Sequence, residues 1–271
     1  MKATRGSPLR RVAYRLALAL FGWRWFRGSY AAWADARARS TGYDSEAILE
    51  RVLAATLAVR DGRAAFERDG VTFARHEDDA PLLAALQQLA DRSGGRLSVI
   101  DVGGALGTTY WRHRWWLERL REFRWDIVER PPVVEAGRTH LADTPLRFFH
   151  TIADAEAQGP HDVLLASGVV QYLETPHDTV ADWLERRVPF LIFNNLPVHA
   201  GAPDRLTVQH VPPSIYAASY PVWFFNRERF LTLFRGRYDL LREFPSEAVW
   251  RLGWREYRSS GLLLRRAERS A

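Results

Sequence analysis

The 271-residue chain has no cysteine, and Met1 and Lys2 are its only methionine and lysine. Without cysteine there are no disulfides, no thiolate metal sites and no cysteine nucleophile, although that alone does not fix the compartment. With Lys2 the sole lysine, a Tyr-x-x-x-Lys pair of the kind used by sugar oxidoreductases is impossible. The histidines are scattered, with no His-Glu-x-x-His run and no carboxylate pair recurring at ligand spacing, so no metal site is expected. Repeats and low-complexity stretches are absent as well. The longest N-terminal apolar run, Leu16 to Trp23, is too short to cross a bilayer, which takes about 20 apolar residues.

What is present is an ordinary globular composition, 47% hydrophobic and 26% charged, with a formal net charge of +6. Nearly all of the basic residues are arginine. Acids are interspersed among them, as in Glu118-Arg-Leu-Arg-Glu122, so a phosphate-tracking surface and a nucleic-acid partner are not expected. The segment Arg10 to Arg27 begins like a signal peptide. Arg15 interrupts its apolar stretch, however, and aromatic residues crowd the place of a cleavage site. Two readings stay open for residues 10–27: a helix packed on the domain, or a basic amphipathic helix in peripheral contact with an anionic membrane. The expected location is the cytoplasm, with membrane association as the alternative.

The pattern divides the chain into an N-terminal helical extension over 1–92 and an α/β domain over 93–271. Tyr30 to Ala38 is rich in helix formers and ends near Gly42. Ser45 is placed to cap a helix carrying Ile48, Val52, Leu53 and Leu57, and Leu82, Leu83, Leu86 and Leu89 mark another. After the break at Ser93-Gly-Gly-Arg96, short apolar runs alternate with helical stretches. Strands are expected at Leu97–Val102, Trp125–Val128, Leu146–His150, Val163–Ala166 and Pro189–Phe193. The intervening helices are expected at Thr108–Arg121, from about Pro132, and over Thr175–Arg187. A helix to Phe234 and a strand pair, Tyr238–Phe244 with Gly261–Arg265, close the chain. Strands alternating with helices predict a doubly wound, mostly parallel sheet covered on both faces.

The first strand runs into Asp101-Val-Gly-Gly-Ala-Leu-Gly107. Gly103, Gly104 and Gly107 let the backbone turn sharply and approach a ligand, and the helix from Thr108 aims unpaired N–H groups at the same place. Such a turn serves nucleotides of many kinds, and Asp101 narrows the choice. A carboxylate there would face the pyrophosphate of a dinucleotide, whereas S-adenosylmethionine has no phosphate and carries a cationic amino group and sulfonium. The alternative is that Asp101 merely caps the turn. Glu129, ending the second strand, can accept both hydroxyls of an adenosine ribose or form a surface salt bridge. Asp154, after the third strand, is a candidate for the adenine edge or a solvated loop acid.

The stretches Asp101 to Gly107, Ser167-Gly-Val-Val-Gln-Tyr-Leu173 and Leu206-Thr-Val-Gln-His-Val-Pro-Pro-Ser-Ile-Tyr-Ala-Ala-Ser-Tyr-Pro221 resemble a family of bacterial class I S-adenosylmethionine-dependent methyltransferases. Its members are often associated with cell-surface polysaccharide biosynthesis. Gly42-Tyr43-Asp44 and Gly261-Leu-Leu-Leu-Arg265 fit the same pattern, so the resemblance spans roughly residues 27 to 266. It implies a Rossmann-like sheet with an antiparallel C-terminal strand, S-adenosylmethionine as cofactor, and a glycan, nucleotide-sugar or other small-molecule acceptor. It also places Ser167, Gly168, Gln171 and Tyr172 beside the transferred methyl group, with the alternative that Gln171 or Tyr172 begins the next helix. The turn departs from the class pattern Asp-x-Gly-x-Gly-x-Gly by holding Ala105 at the middle glycine, with an extra glycine at Gly104.

Between Thr207 and Trp223, Val211-Pro-Pro213 is expected to break both ladder and helix. The segment then reads as a proline-stiffened loop presenting Gln209, His210, Tyr216, Tyr220 and Trp223 to a polyhydroxyl acceptor, or as a lid with buried aromatics. A hydroxyl acceptor gains from a general base, and histidine fits that role. His210 is the first candidate, with Gln209 and Tyr216 beside it; His199 is second. His113, among Trp111, Trp115 and Trp116, is expected to pack or to face solvent. The competing readings are an NAD-dependent sugar oxidoreductase or epimerase, and a cofactor-binding protein without turnover.

Overall fold

The computed structural model describes residues 25–42, 46–201, 203–211, 217–252 and 255–268. In chain order it begins with β1 (Phe26–Tyr30), α1 (Trp33–Ala38), α2 (Glu46–Arg60), the hairpin β2 (Phe66–Arg68) and β3 (Val71–Phe73), and α3 (Ala80–Arg92). The alternating unit follows: β4 (Arg96–Val102), α4 (Thr108–Leu117), β5 (Glu122–Val128), α5 (Pro131–His140), β6 (Leu146–Phe149), α6 (Ile152–Glu156), β7 (Val163–Ser167), a 3-10 turn (Val170–Tyr172), α7 (Pro176–Glu185) and β8 (Phe190–His199). The chain closes with β9 (Arg205–His210), β10 (Ser219–Asn226), α8 (Arg227–Thr232), β11 (Tyr238–Leu252) and β12 (Arg255–Arg266).

Strands β6, β5, β4, β7 and β8 lie side by side in that order, all parallel. Strands buried on both faces need no polar face. Accordingly Val99, Ile100, Leu164, Leu165, Leu191 and Ile192 are all fully buried. One face packs on Leu82, Leu86 and Leu89 of α3, Tyr110 of α4 and Val134 of α5. The other packs on Ile152 of α6, Val180 and Trp183 of α7 and Phe230 of α8. The chain leaves β4 for β5 on one side and returns to β7 on the other, so the carboxyl ends of β4 and β7 form a topological switch point. The expected closing strand pair is there, longer than its apolar cores: β12 pairs antiparallel with both β8 and β11.

Two expectations are corrected. The first ninety residues are not wholly helical: β1 joins the main sheet through β9, and Phe66–Phe73 forms a two-stranded hairpin. The Asp69-Gly70 turn between β2 and β3, both residues at positive φ, is the signal that helical periodicity obscured. In the stretch 207–223, residues 207–210 and 219–223 are likewise strand rather than loop, because β9 and β10 pair from Arg205↔Phe224 to His210↔Ser219. The pairing continues to the Val211 N–H, which donates to the Ala218 carbonyl. Residues 10–24, Tyr43, Asp44, Ser45, Pro212, Pro213 and Tyr216 lie outside the described residues, so the basic N-terminal helix, the Ser45 cap and the role of Tyr216 lie outside them too. Among the described residues, no helix is long and apolar enough to cross a membrane.

Candidate cofactor site

The glycine-rich turn sits at the switch point, between the end of β4 and the start of α4. Its shape follows from steric limits that side chains set on it from both directions. Gly103 is at φ +68°, and a Cβ there would come within 2.4 Å of Val169 on the segment after β7. A Cβ on Gly104 would come within 2.6 Å of the Asp101 carboxyl group, so the extra glycine makes room for the acid that precedes it. Ala105 takes φ +51°, the left-handed conformation that glycine adopts freely. An L-residue pays roughly 1–2 kcal/mol for it. Gly107, at φ +92°, caps α4. Two indoles hold the turn from below: Trp111 Nε1 donates to the Leu106 carbonyl at 3.1 Å, and Trp125 Nε1 donates to Asp101 Oδ2 at 3.0 Å.

Carboxylates from three different elements meet this turn. Asp101 lies beneath Gly104 with no exposed surface, and its Oδ1 has no hydrogen-bond partner among the described residues. Burial pushes its pKa up to about 7; the Trp125 N–H opposes this and the nearby charge of Glu129 adds to it. Glu129 accepts the Ala105 N–H at 3.3 Å and the Arg130 N–H at 2.8 Å, and burial raises its pKa as well. Glu67, on β2 and only 2% exposed, accepts from the Thr108 hydroxyl in the first turn of α4 and from the Gly70 N–H at 3.2 Å. Its pKa is also raised, chiefly by burial. Among the described residues no ion pair reaches Asp101 or Glu67. Glu129 also meets the Arg130 guanidinium at 3.9 Å, so Asp101 and Glu67 are the two acids at this turn without an ion pair among the described residues, and they favour a cation there.

The wall opposite the turn is built where β7 and β8 end. Gly168 donates its N–H to the Asn194 carbonyl, and Asn194 links three elements through its side chain. Its Nδ2 donates to Asp79 Oδ2 at 2.9 Å and to Ser167 Oγ at 3.2 Å, while its Oδ1 accepts from Ser246 Oγ at 2.7 Å. Gln171 is 1% exposed; its Nε2 donates to the Asn195 carbonyl and its Oε1 has no partner among the described residues. Tyr172 donates its hydroxyl to Gln209 Oε1 at 3.0 Å and meets the Tyr220 ring edge-on at 5.2 Å.

Most of the residues singled out from sequence therefore converge on the carboxyl edge of the sheet: Asp101, Gly103, Gly104, Gly107, Glu129, Ser167, Gly168 and Gln171. Tyr172 brings Gln209 toward the same edge. Asp101 stands under the turn rather than on the open surface. Asp154 is exposed in the first turn of α6, where it exchanges hydrogen bonds with the capping Thr151. Thr151→Ala removes that cap and is expected to cost about 1 kcal/mol. A thermal melt should then show a Tm lower by about 2–4 °C, and an unchanged Tm would remove the capping role.

His210 does not share a face with Gln209, because successive strand residues point to opposite sides. Gln209 pairs with Tyr220. His210 pairs with Ser219, whose hydroxyl contacts Thr41. The His210 pKa is lowered, mainly by partial burial and then by Arg27, whose strand partner is Val208 on the His210 face. His199 faces the Tyr257 ring. His113 packs rather than facing solvent: it is fully buried, its Nδ1 lies 3.0 Å from the Thr109 carbonyl, and burial together with Arg112 pushes its pKa down to about 4. Sequence reasoning missed Glu67, Asp79, Trp125 and Asn194. Only Glu67 had a local signal, the Asp-Gly turn beside it.

No protein-family model and no curated protein matches the chain. Solved structures with a similar fold include the Burkholderia thailandensis 1,6-didemethyltoxoflavin-N1-methyltransferase with bound 1,6-didemethyltoxoflavin and S-adenosylhomocysteine. It is 15% identical over 89% of this chain and 93% of that one, with a TM-score of 0.46. The magnesium protoporphyrin IX methyltransferase of Synechocystis PCC 6803, with bound S-adenosylmethionine, is 12% identical over 84% and 100%, with a TM-score of 0.46. A glycopeptide N-methyltransferase complexed with S-adenosylmethionine is 11% identical over 67% and 91%, with a TM-score of 0.47. The likeness concerns the fold alone.

Proposed function

We propose that this chain is an S-adenosylmethionine-dependent methyltransferase acting on an oxygen, or a nitrogen, of a small-molecule acceptor. The observation that carries the reading is the pairing of the glycine-rich turn with Asp101 and Glu129. The Ala105 N–H, which a diphosphate would draw on, is already donated to Glu129. Asp101 adds a buried acid directly beneath the turn, with one oxygen held by Trp125 and the other without a partner among the described residues. These features fit a nucleoside with a cationic tail and disfavour a dinucleotide, the competing reading.

In this proposal Glu129 receives the ribose hydroxyls, the turn over 103–107 lies along the nucleoside, and Asp101 supplies negative potential from below. The buried Gln171 Oε1 takes a hydrogen-bond donor from a ligand, since an unpaired buried acceptor costs about 1–3 kcal/mol. S-adenosylmethionine brings a methyl group already activated by its sulfonium, so the protein's main task is alignment and exclusion of water. Tyr172, held by Gln209 and Tyr220, forms the polar and aromatic wall on the acceptor side. That wall suits a polyhydroxyl ring. The finer assignment, a glycan or nucleotide-sugar acceptor of cell-surface polysaccharide synthesis, rests on the motif resemblance. The proposal assigns no general base, because His210 lies on the other face of β9.

Calorimetric titration with S-adenosylhomocysteine and, separately, with NAD tests the cofactor. Saturable heat is expected with the first and none with the second, and binding of NAD alone would overturn the proposal.

A further inference from the structure

Glu67 stands apart from the other two acids because it arrives from outside the sheet. The β2–β3 hairpin lies over α4 and is clamped there on two sides. Arg112 of α4 packs on the Phe66 ring at 5.0 Å and holds Glu247 of β11 with both terminal nitrogens, at 2.9 and 2.7 Å. Arg68, on the hairpin, grips the same Glu247 at 2.5 Å. The clamp fixes the hairpin so that the intervening residue, Glu67, reaches the Thr108 hydroxyl at the start of α4.

The start of a ten-residue helix is where an anionic ligand would otherwise be drawn, since its first N–H groups lack partners and the dipole favours negative charge. Here a side chain of the protein supplies the negative charge. Among the described residues the hydrogen bonds to Glu67 come from neutral donors, with Arg68 acting on it only through its charge, and the buried Asp101 beneath the same turn keeps one oxygen without a partner. A phosphate here would meet the Glu67 charge, and Arg68 and Arg112 are already engaged by Glu247, whereas a bound cation would relieve both acids.

We propose that Glu67 is a specificity-determining residue of the cofactor site, setting its preference for a cationic methyl donor over the neutral product and over nucleotides that carry phosphate. The proposal rests on the methyltransferase reading. S-adenosylmethionine carries one more positive charge than S-adenosylhomocysteine, so a carboxylate held near the site discriminates between them by charge.

The test compares the full chain with Glu67→Gln and Thr108→Val, measuring by calorimetry the Kd values for S-adenosylmethionine, S-adenosylhomocysteine and inorganic pyrophosphate. The wild-type titrations address the cofactor reading alone: if neither adenosyl compound binds, that reading fails and the proposal fails with it. If they bind, Glu67→Gln is expected to shift the ratio of the two Kd values about tenfold toward the neutral product, the effect of one nearby charge. It should also gain measurable affinity for pyrophosphate. Thr108→Val removes the hydroxyl contact but keeps the charge, and should leave the ratio within twofold. A ratio unmoved in Glu67→Gln, or moved equally by Thr108→Val, overturns the proposal and leaves the cofactor reading intact. If the glutamine variant does not fold, Glu67→Asp, which draws the charge back by one methylene, should move the ratio in the same direction, and an unchanged ratio there overturns the proposal equally.

Discussion

Glu129→Ala is expected to raise the Kd for S-adenosylhomocysteine about 100-fold, which corresponds to losing charge-assisted hydrogen bonds worth about 1.5–3 kcal/mol. The carboxylate has two tasks that the variant removes together. It accepts the Ala105 N–H, holding a non-glycine residue in the left-handed region, and in the proposed complex it receives the ribose hydroxyls. A second substitution separates the tasks. Glycine at position 105 takes the same backbone conformation without strain, so Ala105→Gly placed on Glu129→Ala restores whatever part of the loss is loop organisation. Little recovery is expected, because the ribose contact is the larger part. A Kd for Glu129→Ala within twofold of wild type would show that the nucleoside does not lie on this strand end.

The second large effect concerns Asp101 and pH. Burial raises its pKa in the folded protein to about 7, against an ordinary value of 3.8. Between those limits the folded state holds a proton that the unfolded chain has released. Stability from this group is therefore fully present below about pH 4 and declines as pH rises toward 7. Asparagine is neutral throughout, so Asp101→Asn escapes the decline. The Tm of the variant minus that of wild type should become more positive between pH 4.5 and pH 7.5, by on the order of 5–10 °C. Paired melts across that range are the measurement. A difference that stays constant with pH would mean that Asp101 is ionised, and compensated, in the folded protein at every pH tested.

The parallel sheet and its order were legible because five short apolar runs alternate with helical stretches, and a strand buried on both faces leaves that mark. The turn was legible because glycines and a preceding acid are adjacent in the chain. What stayed hidden depends on partners remote in sequence. Nothing local to Trp125 announces that its indole will satisfy Asp101, and nothing near Asn194 announces Asp79 and Ser246. Glu67 reaches the turn from a hairpin whose Arg68 shares Glu247 with Arg112, and Glu247 comes from near the other end of the chain. The misreading of 207–223 had a different origin. Val211-Pro-Pro213 is a sequence signal for a break in pairing, and it was extended to residues that pair well before it. That error also set Gln209 and His210 side by side on a loop, whereas a strand turns them to opposite faces.

The position of β12 has a consequence for how this chain is made. Strand β8 finds its antiparallel neighbour only when Arg255–Arg266 are available, because β12 lies between β8 and β11. During synthesis, at about 5–20 residues per second, the apolar edge of β8 therefore waits several seconds for its partner. A chain halted before Leu262 would carry Leu191, Ile192 and Phe193 on an open sheet edge, an invitation to pair with other chains. Ribosome stalling or a nonsense mutation between Arg255 and Leu262 should thus yield aggregate rather than a weakened monomer.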